Sequence, residues 1–186
     1  RISASFESLL MSLDHPYTKY LITKNSNEIT NKKTGAVLPA NKKIVGIRSG
    51  ILVGDGQSYG QNQRIAYSGL DRNYLQDAPL YLVKFAEVDF LRAEGALRGW
   101  NMGGSAQFFY ERGIRNAYLE EPDYVYEYKD LVDTYMQREQ PIAYVQSDPM
   151  GDGADWQSVT KIGVKWNDAD SKETKLEKII TQKYIA

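Results

Sequence analysis

The chain has 186 residues with 23 Lys plus Arg against 24 Asp plus Glu, a formal net charge of −1 that offers no electrostatic case for binding nucleic acid or anionic lipid. Its 42% hydrophobic and 25% charged residues are those of an ordinary globular protein of one or two domains rather than a disordered one. No run approaches the roughly 18 apolar residues of a membrane span, and no basic segment followed by an apolar one opens the chain as a leader would.

In chain order, Ile2, Phe6, Leu9, Leu10 and Leu13 recur at three-and-four spacing and predict a first short helix over residues 3–13. From residue 14 to about 76, Asn, Ser, Thr, Lys and Gly punctuate brief apolar runs such as Tyr20-Leu21-Ile22 and Ile44-Val45-Gly46-Ile47, a pattern of short strands and long loops. Residues 50–69 hold too much glycine for a regular element and too few charges for a solvated linker, so an ordered surface loop is expected there. After Pro79 the stripe Val83, Ala86, Phe90, Ala93 and Leu97, widened by Leu82 and Phe85, predicts an almost fully buried helix that Gly99 stops.

Ser105 is a good N-cap for a second helix to about residue 118, with Phe109, Tyr110, Ile114 and Ala117 facing the first and Gly113 at a close contact. The two form a helical hairpin with the length of one repeat unit, too little to bury its own face alone. A third helix is expected over residues 124–137, with Val125, Tyr128, Leu131, Val132 and Tyr135 on one face. Residues 141–172 read as loop. Thr174 and Glu177 then have capping-box spacing and open a last helix with Leu176, Ile179, Ile180 and Tyr184 inward. The chain opens at Arg1 rather than methionine and its last helical pattern lacks a stop signal, so it is expected to be a piece of a longer protein.

The chemistry is narrowed by what is missing. There is no cysteine, which excludes disulfides, thiolate metal sites and cysteine nucleophiles. The one histidine, His15, leaves multi-histidine metal sites and most hydrolase constellations without their usual residues; before Pro16 at a helix end it is expected to meet the last carbonyls. Acidic pairs such as Glu120 with Glu121, or Asp152 with Asp155, are read as solvated loop charges, a glycosidase needing two carboxylates at a defined separation. The glycines at 54–60 and 99–104 match neither a phosphate loop nor a dinucleotide fingerprint. Asp148, Asp152, Asp155, Asp168 and Asp170 are oxygen ligands of the kind calcium takes, but without EF-hand spacing; a structural calcium ion stays an unassignable option, and no cofactor is expected.

The 14 tyrosines and three tryptophans exceed what a plain helical domain needs. Trp100, directly after Gly99, is expected to pack back over the hairpin as core. Tyr59, Tyr67, Tyr74, Trp156 and Trp166 lie in expected loops and are the candidate ligand-binding residues, since flat rings stack on sugar faces while neighbouring polar groups bond the hydroxyls. Packing beneath the long loops is the alternative role of each ring.

Residues 78–100, Ala78-Pro79-Leu80-Tyr81-Leu82-Val83-Lys84-Phe85-Ala86-Glu87-Val88-Asp89-Phe90-Leu91-Arg92-Ala93-Glu94-Gly95-Ala96-Leu97-Arg98-Gly99-Trp100, resemble the C-terminal signature of the SusD/RagB family. Tyr110-Glu111-Arg112-Gly113-Ile114-Arg115 and Lys178-Ile179-Ile180-Thr181-Gln182-Lys183-Tyr184-Ile185-Ala186 resemble its next two landmarks in the family's order, with a looser similarity at residues 44–50. The resemblance implies a mainly α fold of tetratricopeptide-like helical hairpins with a loop-rich region containing short strands. The chain would be the C-terminal part of one such domain: 1–77 the loop-rich ligand side, 78–140 the hairpin and third helix, 141–186 the loop and final helix.

It further implies a cell-surface lipoprotein of the outer membrane, its anchor outside this fragment. Such a protein captures glycans noncatalytically and delivers them to a partner SusC-like TonB-dependent transporter. The landmarks are scaffold residues and carry over no sugar-binding position. Two other readings stand beside this one: a helical-repeat protein-interaction subunit of an uptake complex without its own sugar site, and a glycoside hydrolase using an acidic pair.

Overall fold

In the computed structural model, which describes residues 1–50, 63–120 and 130–186, the chain forms two compact units. One comprises Arg1–Gln76 and Ile142–Thr160, the other Asp77–Pro141 and Lys161–Ala186.

In the first unit the Ser3 hydroxyl accepts the Phe6 N–H at 3.1 Å and opens α1, Ala4–Leu13. Asp14, in the left-handed region at φ 50°, ends it by donating its N–H to carbonyls of the last turn. The expected apolar face is there in Leu10 and Leu13, but Glu7, Ser8 and Ser12 are buried as well. The short helix α2, Tyr17–Tyr20, follows. β1, Ile29–Thr30, pairs antiparallel with β2, Val37–Leu38. Buried Asn25 ties this loop region down: its amide donates to the Asn27 and Pro39 carbonyls, both at 2.8 Å, and its Oδ1 accepts from the Lys42 and Lys43 N–H groups.

A 3-10 turn at Gln63–Ala66 and the helix α3, Arg72–Asp77, lie where loop is expected. Ile29, Val45, Ala66, Tyr67 and Met150 form the core here, flanked by Leu38 and Ile47. Residues 145–157 carry a further departure from the expected loop, because β3, Val145–Gln146, pairs antiparallel with β4, Trp156–Gln157. Gln146 thus stands opposite Trp156.

The second unit is built on the expected hairpin. α4 runs over Phe85–Leu97 and α5 over Ala106–Leu119, with Ser105 accepting the Phe108 N–H as its N-cap. Gly99, at φ 88°, follows the end of α4 as expected. Ala86, Phe90 and Ala93 meet Phe109, Tyr110, Ile114 and Ala117 in the buried seam. Asp89 crosses it, accepting from Arg112 Nε at 2.9 Å, Arg112 Nη2 at 2.5 Å and Asn116 Nδ2 at 2.8 Å. α6, Asp130–Met136, packs on α5 through the described part of the third helix; the expected residues 124–129 lie outside the described residues. α7, Lys172–Ile185, packs on α4.

Three expectations in this unit need correction. α4 is not almost fully buried: it hides one face, while Phe85 is 74% exposed and Leu82, which lies before the helix starts, is 94% exposed. Trp100 does turn back onto α4, where a Cβ on Gly95 would lie 3.3 Å from its Cε3, but it is 64% exposed rather than core. α7 opens three residues earlier than the capping box suggests, since Ser171 accepts the Thr174 N–H at 3.1 Å. Its buried face consequently runs through Lys178, Ile179, Gln182 and Ile185, leaving Ile180 and Tyr184 exposed.

Gly113 is the close contact that its place in a helix suggests: a Cβ there would lie 2.9 Å from Phe90 Cε1. The substitution Gly113→Ala gains about 1 kcal/mol of helix propensity but overpacks the seam by about 1–3 kcal/mol. A net loss of about 1 kcal/mol is expected in thermal unfolding, and a rise in Tm would show that the seam is looser than described.

Candidate functional site

The site is organised by a buried carboxylate. Glu7 sits on the interior side of α1 and is fully buried. Its Oε2 accepts the Gly46 N–H at 2.7 Å and the Gln146 amide Nε2 at 3.2 Å, and its Oε1 accepts the Tyr144 hydroxyl. Burial, and then the Glu7 carboxylate, push the Tyr144 phenol well above its usual range, so it stays a donor. With its Nε2 committed to Glu7, the Gln146 amide must present Oε1 the other way. That oxygen accepts Trp156 Nε1 at 3.0 Å and Arg48 Nε at 2.7 Å.

Arg48 is held further by the Ala154 carbonyl on Nη1 at 2.5 Å and the Gln146 carbonyl on Nη2 at 3.1 Å. A half-buried indole and a guanidinium, both clamped through Gln146, thereby line a cavity of about 320 Å³ together with Ala4, Ser5, Ser49 and Ala154. Rigid aromatic and alkyl walls with two hydroxyls and one cation are chemistry that can hold a small polar ring.

Of the five candidate aromatics, Trp156 alone among those described lines this cavity. Tyr59 lies outside the described residues. Tyr67 is core: its hydroxyl donates to Asp148, and burial first, then that carboxylate, raise its phenol well above the usual range. Tyr74 is buried on α3. Trp166 belongs to the second unit, where its ring lies 5.3 Å from that of Tyr110 and its Nε1 donates to Asp168 Oδ1 at 3.0 Å. It is 9% exposed at the edge of a separate 260 Å³ cavity. Loop position in the sequence does not mean exposure when long loops must bury something beneath them.

Four of the five candidate aspartates are likewise engaged, Asp148 by Tyr67 and Asp168 by Trp166. Asp152 pairs with Arg64 and with Lys32, and Asp170 with Lys178. Asp155 lines a different depression, beside β2. Among the described residues no three His, Asp or Glu side chains gather as a metal site. His15 is buried, its ring Nδ1 accepting the Tyr17 N–H at 3.1 Å, while its backbone N–H donates to the Leu10 carbonyl at 2.9 Å.

The residues that position the site, Glu7, Arg48 and Gln146, are missing from the sequence-based candidates. A legible sign existed in Arg48, a single cation directly after the apolar run 44–47. Glu7 could not be read, because its heptad neighbours give no sign that the polar side of α1 is also covered.

A helical hairpin of tetratricopeptide type in one unit and a clamped aromatic in the other, loop-rich unit define a class of helical-repeat scaffold that carries an irregular region. The model of SusD-like proteins, the Susd and RagB outer membrane lipoproteins, matches residues 1–186, and the chain belongs to this family. It is 29% identical to a chitin-binding SusD homologue from Flavobacterium johnsoniae, with a TM-score of 0.68 over 100% of this chain and 33% of that one. A SusD homologue from Bacteroides uniformis is 29% identical with a TM-score of 0.72, covering 98% of this chain and 33% of its own. One from Bacteroides ovatus is 30% identical with a TM-score of 0.66, covering 100% and 35%. The chain thus spans about a third of the length of these relatives. No curated protein matches it. Among the described residues no helix is long and apolar enough to cross a membrane.

Proposed function

We propose that the protein captures glycans noncatalytically at the cell surface of an outer membrane and delivers them to a SusC-like TonB-dependent transporter. The observation that carries this reading is the clamped Trp156 at the 320 Å³ cavity, with the Ser5 and Ser49 hydroxyls and Arg48 around it. A ring held at its Nε1 edge offers a sugar a flat apolar surface at little further entropic cost, and the hydroxyls supply the polar contacts. Family membership and the chitin-binding relative support glycans as the ligand class. A noncatalytic role accords with the engagement of Glu7, Asp89, Asp148 and Asp152 in hydrogen bonds and ion pairs.

The test is a binding screen of the intact protein against plant, host and microbial glycans, with product analysis on every positive. Trp156→Ala is expected to weaken a bound glycan about tenfold or more, the order of one aromatic platform. Full affinity in that variant overturns the site, and new reducing ends overturn the noncatalytic reading.

A further inference from the structure

We propose that the Trp156 cavity selects an acidic sugar, a uronate whose carboxylate is bound by Arg48; this rests on the glycan-capture reading and sharpens it. A guanidinium has five N–H donors, of which Arg48 commits three, all to neutral oxygens: Gln146 Oε1, the Gln146 carbonyl and the Ala154 carbonyl. One N–H on each terminal nitrogen is left over. Among the described residues no carboxylate forms an ion pair with Arg48.

The nearby acids do not fill that role. Glu7 lies on the far side of Gln146 and orients the amide without touching the guanidinium. Asp152 is taken by Arg64 and Lys32, and Asp155 lines the other depression. Among the described residues that line the cavity, Arg48 is the one that carries a charge. A partly buried cation held in place by neutral acceptors retains its charge for an incoming anion, and carboxylate geometry matches the planar fork. The Trp156 ring alongside would carry the sugar's apolar face, so charge and stacking fall on one residue of the glycan.

The outcome is read by titration calorimetry of the intact protein with matched pairs: polygalacturonate, alginate and glucuronan oligosaccharides, each beside its carboxyl-reduced neutral form. At least one uronate is expected to bind tenfold or more tighter than its reduced partner, with the gap narrowing in 0.5 M NaCl as screening predicts. Arg48→Gln is expected to erase the gap. Gly153→Ala is expected to shrink it, because a Cβ there would press on Arg48 Nη1.

Equal affinity within every pair overturns the proposal, and that arm uses the unmodified protein, so it does not depend on whether a variant folds. Binding of neutral glycans alone overturns it while leaving capture intact; binding of no glycan in the wider screen overturns both. Sulfated dextran binding as tightly as the best uronate overturns the assignment to a carboxylate.

Discussion

Glu7→Ala is expected to destabilise the protein by about 3–5 kcal/mol, the sum of three buried donors left without their acceptor. The Gly46 N–H, the Gln146 amide and the Tyr144 hydroxyl all end on this one side chain, which is fully buried. Water entering the space would recover part of the loss. Glu7→Gln is expected to cost far less, about 1–2 kcal/mol. Oε2 alone serves both Gly46 and Gln146, so a glutamine oxygen can keep those two bonds. Its NH2 group then faces the Tyr144 oxygen, and a hydroxyl can turn to accept where it had donated. Urea unfolding followed by tryptophan fluorescence measures both. An alanine variant within 1 kcal/mol of the parent would show that the network does not organise this unit. The same substitution is expected to weaken glycan binding, since it releases the amide that holds Trp156 and Arg48.

The hairpin was legible because its signals are local. Ser105, Gly99, the alanine-rich stripe of α4 and Gly113 each act within a few residues of themselves, and each stands where the spacing placed it. The errors share one cause, that a period reports which residues could share a face and not which faces find a neighbour. Leu82 and Phe85 continue the stripe of α4 yet are exposed among the described residues, while Glu7 and Ser12 on the polar side of α1 are buried. The site was less legible for the same reason. Trp156 was identifiable as a large amphipathic ring, but Arg48, Gln146 and Glu7 stand 98 and 139 residues apart in their contacts, and only the folded chain brings them together. Tyr67 and Trp166 have the same composition signal as Trp156 and lie instead against Asp148 and Tyr110. What separates them is depth, which no local pattern encodes.

His15 gives the protein an acid sensitivity that one resonance can follow. Burial pushes its pKa from 6.5 down to about 3, and Nδ1 accepts the Tyr17 N–H, so a proton there would meet a donor head-on. Between those two values the unfolded chain carries a proton on this imidazole that the folded chain does not. Stability therefore rises with pH across the interval: it is complete above about 6.5 and is lost as pH falls towards 3, at up to about 1.4 kcal/mol per pH unit. The substitution His15→Asn keeps an acceptor near the Tyr17 N–H and removes the titration. Relative to that variant, the parent is expected to lose about 3 kcal/mol between pH 6.5 and pH 4, a difference in which the carboxylates common to both cancel. His15, the single histidine of these 186 residues, can be followed by its ring signal in an NMR titration, with the His15→Asn variant identifying the signal. The signal is expected to hold its neutral position down to pH 4, and a midpoint near 6.5 would mean that the ring reaches solvent and that the α1–α2 turn opens around it.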